Sequence, residues 1–162
     1  MTTIPFTRNA PLGADRLLMA LAAARPDELR LADPVSYPEL TGEGRYEGRA
    51  VWFDWGPGME DAGALLRDRP DPTTGERLIE WGADADTMAL FGGVWRRCWD
   101  QGVHLALECQ PSSASRAVWA SDVRVTLTHG QERVSVTTQH PGTAALLAYA
   151  QLITGLRLGG AL

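Results

Sequence analysis

Apolar and polar positions alternate with a period of two over three successive stretches in the last third of the chain. Val103, Leu105, Leu107 and Cys109 alternate with His104, Ala106 and Glu108. Trp119, Val123, Val125 and Leu127 alternate with Ala120, Asp122, Arg124 and Thr126, and Val134 and Val136 share one parity within Glu132–Thr138. A period of two marks a strand with one buried face. His129-Gly130-Gln131 supplies a turn between the second and third runs, so the pattern predicts an antiparallel meander of three strands.

Helical spacing appears at three places. Leu17, Leu18, Leu21 and Ala24 form a stripe within Gly13–Arg25, with Asp15 near its start and Pro26 ending it. Met88, Phe91, Trp95 and Cys98 recur at spacings of three and four, which predicts an inward helical face. Asp84 or Asp86 caps that helix, which runs to about Gln101 with Gly102 beyond its end. Gly92-Gly93 within it marks close approach to a sheet or a kink. Pro141-Gly142 breaks the meander, and Thr143–Arg157 follows as a helix apolar nearly all round. Such a helix is buried on more than one side, either under another helix or in a subunit contact.

The middle of the chain is less regular. Arg45–Trp55 alternates as a strand, Gly56-Pro57-Gly58 breaks it, and Met59–Asp68 reads as a short helix with Met59, Ala62, Leu65 and Leu66 inward. Arg69–Glu76 is a loop, and Arg77–Trp81 is a short strand or an extended lead-in. Residues 1–12, with Pro5 and Pro11, form an extended arm, and the Pro- and Gly-rich stretch 26–44 is irregular. The fold class this predicts is α+β: one domain over 1–162, a mainly antiparallel sheet with helices packed on it.

A chain of 162 residues buries a sizeable core without disulfides. It holds fifteen Arg, no Lys and twenty acids, net −5. Nine Arg and fourteen acids fall within residues 1–81, so the acidity sits in the first half. Only Arg96-Arg97 pairs two bases, and nothing else resembles the basic patch of a general nucleic-acid binder. Arg without Lys, beside abundant Ala, Leu and Gly, fits a GC-rich bacterial or phage genome. No apolar run approaches the ~20 residues of a membrane span, and the N-terminus lacks a basic region before a long apolar run. A soluble, cytoplasmic protein is expected.

Candidate chemistry is sparse. There is no Walker lysine and no GxGxxG after a strand. Trp55-Gly56-Pro57-Gly58-Met59 leads from strand to helix, but Glu60 and Asp61 there repel a phosphate. Asp54 and Glu108 at strand ends are the acids a metal-dependent hydrolase or nuclease would use, although Gln110 stands where such sites place Lys. Cys98, His104 and Cys109 lack the pairing of a zinc site, and both cysteines read as buried thiols. His104, His129 and His140 and the Ser112, Ser113, Ser115 loop show no nucleophile elbow. No cofactor or metal is expected.

Tryptophan is the unusual component: Trp52, Trp55, Trp81, Trp95, Trp99 and Trp119. Trp95 and Trp119 fit buried faces. Trp52, Trp55 and Trp81, with Arg45, Arg49 and Arg77, suit a ligand site in which indoles stack on bases and guanidinium groups meet phosphates.

Ala85-Asp86-Thr87-Met88-Ala89, Trp95 and the run His140-Pro141-Gly142-Thr143-Ala144-Ala145-Leu146-Leu147-Ala148-Tyr149-Ala150 resemble the phage ABA sandwich domain family over residues 80–157. The strand and helix read at 44–76 have no counterpart in that family. The resemblance implies an α–β–α sandwich of phage or prophage origin and transfers no catalytic residue. Taken together, the expectation is an accessory protein that binds a host protein or a small ligand, a nucleotide being the concrete case, with an anti-defence role. The alternatives are a hydrolase using Asp54 and Glu108, or a structural homo-oligomer built on the helix at 143–157.

Overall fold

The computed structural model describes the backbone of residues 13–31, 35–38, 45–53, 62–67, 78–80, 84–111 and 121–159, with side chains at 13–31, 89–109 and 122–159. Helix α1 (Ala14–Ala24) leads to strands β1 (Leu29–Leu31), β2 (Val35–Pro38), β3 (Arg45–Phe53), β4 (Ala62–Arg67) and β5 (Leu78–Glu80). Helix α2 (Asp84–Asp100), strands β6 (His104–Pro111), β7 (Ser121–His129) and β8 (Glu132–Thr138), and helix α3 (Pro141–Thr154) complete the order. The protein is α+β, its strand pairings among the described residues are antiparallel, and helices pack on the strands.

Two sheets replace the single one expected. In the first, β3 is flanked on one side by β4, which continues to β5, and on the other by β1 and β2 end to end. The segment read as a helix at Met59–Asp68 is strand β4 over Ala62–Arg67. Ala and Leu favour a helix locally, but six consecutive residues pair with Gly48–Phe53, and tertiary pairing overrides propensity. The stretch read as irregular at 26–44 holds β1 and β2. Pro38 fits at the terminus of β2, an outer strand in which a missing N–H is tolerated. The expected arm at 1–12 lies outside the described residues.

The second sheet is the predicted meander, in the order β6-β7-β8. His129 pairs with Glu132 across Gly130-Gln131, and Gly130 takes φ 62. A left-handed first central residue matches the twist of a two-residue hairpin, and glycine adopts it without a Cβ clash. Val123, Val125 and Leu127 of β7 and Val134 and Val136 of β8 are buried, as their parity predicts. On β6 burial fades along the strand: Val103 just before it is buried, Leu105 half-buried, and Leu107 and Cys109 exposed. The reading of Cys109 as a buried thiol is therefore corrected. The helix layer does not extend over that end of the sheet's outer strand.

Helix α3 is the centre of the core. Its residues Gly142–Gln151 are all buried, and it contacts α1, α2, β7 and β8. Of the two explanations for its all-round apolarity, packing within the chain is the one observed. The helix begins at Pro141 rather than Thr143, because a proline at the first turn gives up no hydrogen bond. It ends at Gly155, φ 68, whose N–H donates to the Gln151 carbonyl at 2.9 Å.

Helix α2 closes as predicted around Gly102, φ 69. Val103 N–H donates to the Cys98 carbonyl at 2.8 Å and Gly102 N–H to the Trp99 carbonyl at 3.2 Å, the paired bonds of a Schellman motif. Its buried face is Leu90, Val94 and Cys98. Trp95 was expected on that face and is instead 49 % exposed. The apolar stripe runs at strict i, i+4 spacing through the smaller residues, which rotates the larger Trp95 away from α3.

Candidate functional site

Among the described residues, the most buried polar cluster joins three elements. Glu28 lies in the turn between α1 and β1, where its N–H donates to the Arg25 carbonyl at 3.0 Å, and it is only 2 % exposed. Its carboxylate accepts a 2.6 Å hydrogen bond from the Tyr149 hydroxyl of α3. Gln101, after α2, donates from Nε2 to the Tyr149 hydroxyl oxygen at 2.9 Å and approaches Glu28 Oε1 at 3.5 Å. Arg97 Nε stands 4.0 Å from the same Oε1. A buried carboxylate is costly unless it is paired and hydrogen-bonded, and these groups supply both conditions.

The cluster also sets local acidities. Burial, followed by the bond to Glu28, pushes the Tyr149 hydroxyl up, against a smaller opposing effect from Gln101. Burial and then the Glu28 charge push the Cys98 thiol up to about 12, so it stays protonated and unreactive at neutral pH. Both the phenol and the thiol are fully covered by protein. This arrangement ties α1, α2 and α3 together and gives no substrate access to either group.

The structure describes only some of the residues singled out from sequence. Arg45, Arg49 and Trp52 belong to β3, opposite Pro38, Leu66 and Gly63 respectively, with Trp52 out of phase with the two arginines along the strand. Trp55, Arg77, Trp81 and Asp54 lie outside the described residues, as do Trp119 and the Ser112–Ser115 loop. Glu108 sits directly across from Arg124, and their charged atoms are 3.7 Å apart on the exposed side of the sheet. Among the described residues no three of His, Cys, Asp and Glu gather as a metal site. Cys98 is buried in α2, whereas His104 and Cys109 are exposed on β6. His129 and His140 belong to separate places, the β7–β8 hairpin and the residue preceding α3.

What sequence reasoning missed is on the outer side of α2. Trp95 and Trp99 are 49 % and 72 % exposed, with ring centroids 6.0 Å apart and planes tilted by 54°. Beside them Arg96 Nε lies 3.4 Å from Asp100 Oδ1, also one turn apart. The signal was present in the i, i+4 spacing of Trp95 and Trp99, which places both on one strip of a helix.

Comparison with known proteins finds no matching family model, no matching curated protein and no matching solved structure.

Proposed function

We propose that the protein acts by binding another protein, and that the solvent-facing side of α2 is its contact surface. The observation that carries this reading is the exposure of two adjacent indoles, Trp95 and Trp99, at 49 % and 72 %. Each indole offers a large apolar area with few rotatable bonds, and tryptophan is enriched among the residues that dominate interface energies. Their rings are tilted by 54°, so they do not form the parallel slot into which a base stacks, which favours a protein over a nucleotide. An accessory role of phage type, directed against a host defence component, is the biological form of this proposal, and it rests on the resemblance over residues 80–157.

The test compares the wild-type chain with Trp95→Ala/Trp99→Ala as immobilised baits in extract of the bacterial host. The expected result is a captured protein that binds the wild type, is lost with the variant, and rebinds when purified. Equal capture by both baits, with matched melting curves, overturns the reading.

A further inference from the structure

We infer that this face also closes on a second copy of the same chain, by antiparallel packing of α2 on α2, so that self-association competes with capture of another protein; the inference rests on the reading of α2 as a contact surface. The four residues of that surface form two parallel rows. At 3.6 residues per turn, Trp95 and Trp99 lie one above the other on one flank, and Arg96 and Asp100 on the adjacent flank. The midline between the two rows lies opposite the stripe Leu90, Val94 and Cys98, which is buried in the core.

This pattern is self-complementary under one symmetry only. A twofold axis perpendicular to two antiparallel helices keeps each flank on its own side and reverses the direction of travel. The indole row then meets the partner's indole row, Trp95 against Trp99. The charged row meets the partner's charged row in reverse, so Arg96 of each protomer faces Asp100 of the other. The midpoints of the two rows differ by one residue, about 1.5 Å along the axis, which long side chains absorb. A twofold relating parallel helices instead carries the indole row onto the charged row and leaves both unmatched. Isologous dimers are built from surfaces that complement themselves in this way. The contact spans less than two turns of each helix, so the dimer dissociates on dilution.

The experiment is sedimentation equilibrium of the full chain over a micromolar-to-submillimolar series, with three variants. The wild type is expected to pass from monomer to dimer. Trp95→Ala/Trp99→Ala is expected to remain monomeric. Arg96→Asp places like charges across the twofold and is expected to weaken the dimer at least about tenfold, while Arg96→Asp/Asp100→Arg restores it. All the substituted side chains are exposed, and unchanged circular dichroism confirms that each variant folds.

A wild type that stays monomeric throughout overturns the inference, and so does a dimer that the Trp or Arg96 substitutions leave intact. A monomer that still loses a captured host protein on Trp95→Ala/Trp99→Ala overturns the second-copy partner and leaves the contact surface standing. A monomer whose capture is also unchanged overturns both.

Discussion

Tyr149 and Glu28, 121 positions apart in sequence, share a 2.6 Å hydrogen bond in the interior. Tyr149→Phe keeps the ring and removes the donor. The carboxylate then retains only Gln101 and Arg97 nearby, and the expected loss is about 1.5–3 kcal/mol, the range for a hydrogen bond to a charged group. Chemical denaturation measures it as a lower midpoint at unchanged slope. A variant as stable as the wild type shows that the bond contributes nothing net.

The two cysteines differ in reactivity. Cys109 is exposed and Cys98 buried, with its thiol raised to about 12. A thiol reagent at neutral pH is expected to modify one cysteine in the native chain and two after denaturation, located by peptide mass spectrometry. Rapid native labelling of Cys98 contradicts its enclosure.

Alkaline pH should weaken the fold through the same thiol. The folded chain holds the Cys98 proton up to about 12, whereas the unfolded chain releases it near 9.0. The unfolded state therefore binds fewer protons across that window, and stability falls as pH rises through it. The raised Tyr149 hydroxyl acts in the same direction. Cys98→Ala is expected to lower stability at pH 7 and to flatten part of the decline above pH 9, read from melting temperatures at stepped pH.

Leu147 is fully buried in α3, the helix that packs against both other helices and the second sheet. Leu147→Ala is expected to cost about 2–5 kcal/mol, the usual range for a cavity that neighbours cannot fill. By contrast Glu108→Gln removes an exposed cross-strand pair and is expected to cost under about 1 kcal/mol. A large loss at Glu108, or a melting shift with Mg²⁺ that this substitution abolishes, favours a site role for the carboxylate over a solvated one.

The parts of the fold legible in sequence are those with local, repeated signals. Strand β8 carries strict alternation, α1 is closed by Pro26, and α2 is closed by Gly102. The first sheet was legible in part: β3 and β5 lie where strands are read, but β4 has a helix-favouring composition and β1 and β2 fall in a Pro- and Gly-rich stretch that reads as irregular. Ala62–Arg67 reads as a helix until Gly48–Phe53 lies beside it. Burial of Trp95 was misjudged because the spacing Met88, Phe91, Trp95, Cys98 fits a helix face as well as Leu90, Val94, Cys98 does, and size favoured the wrong stripe. The Glu28 cluster had no sequence signature, since nothing in Pro26-Asp27-Glu28 marks the second of two adjacent acids as the buried one. Of the candidate ligand site, the structure describes Arg45, Arg49 and Trp52 only as positions on β3, and the exposed indole pair emerges on a different element.

The enclosure of α3 has a consequence for how the chain fails. Residues Thr143–Ala150 are almost entirely apolar, and only the covering helices and strands keep them from water. If α1 or α2 lifts away, a segment that behaves like a sticky peptide is presented to every other molecule in the cell. Chaperones and proteases recognise such segments, and other opened copies adhere to them. A mutation that only loosens a peripheral helix is therefore expected to surface as poor solubility and rapid turnover well before it registers as a modest fall in equilibrium stability.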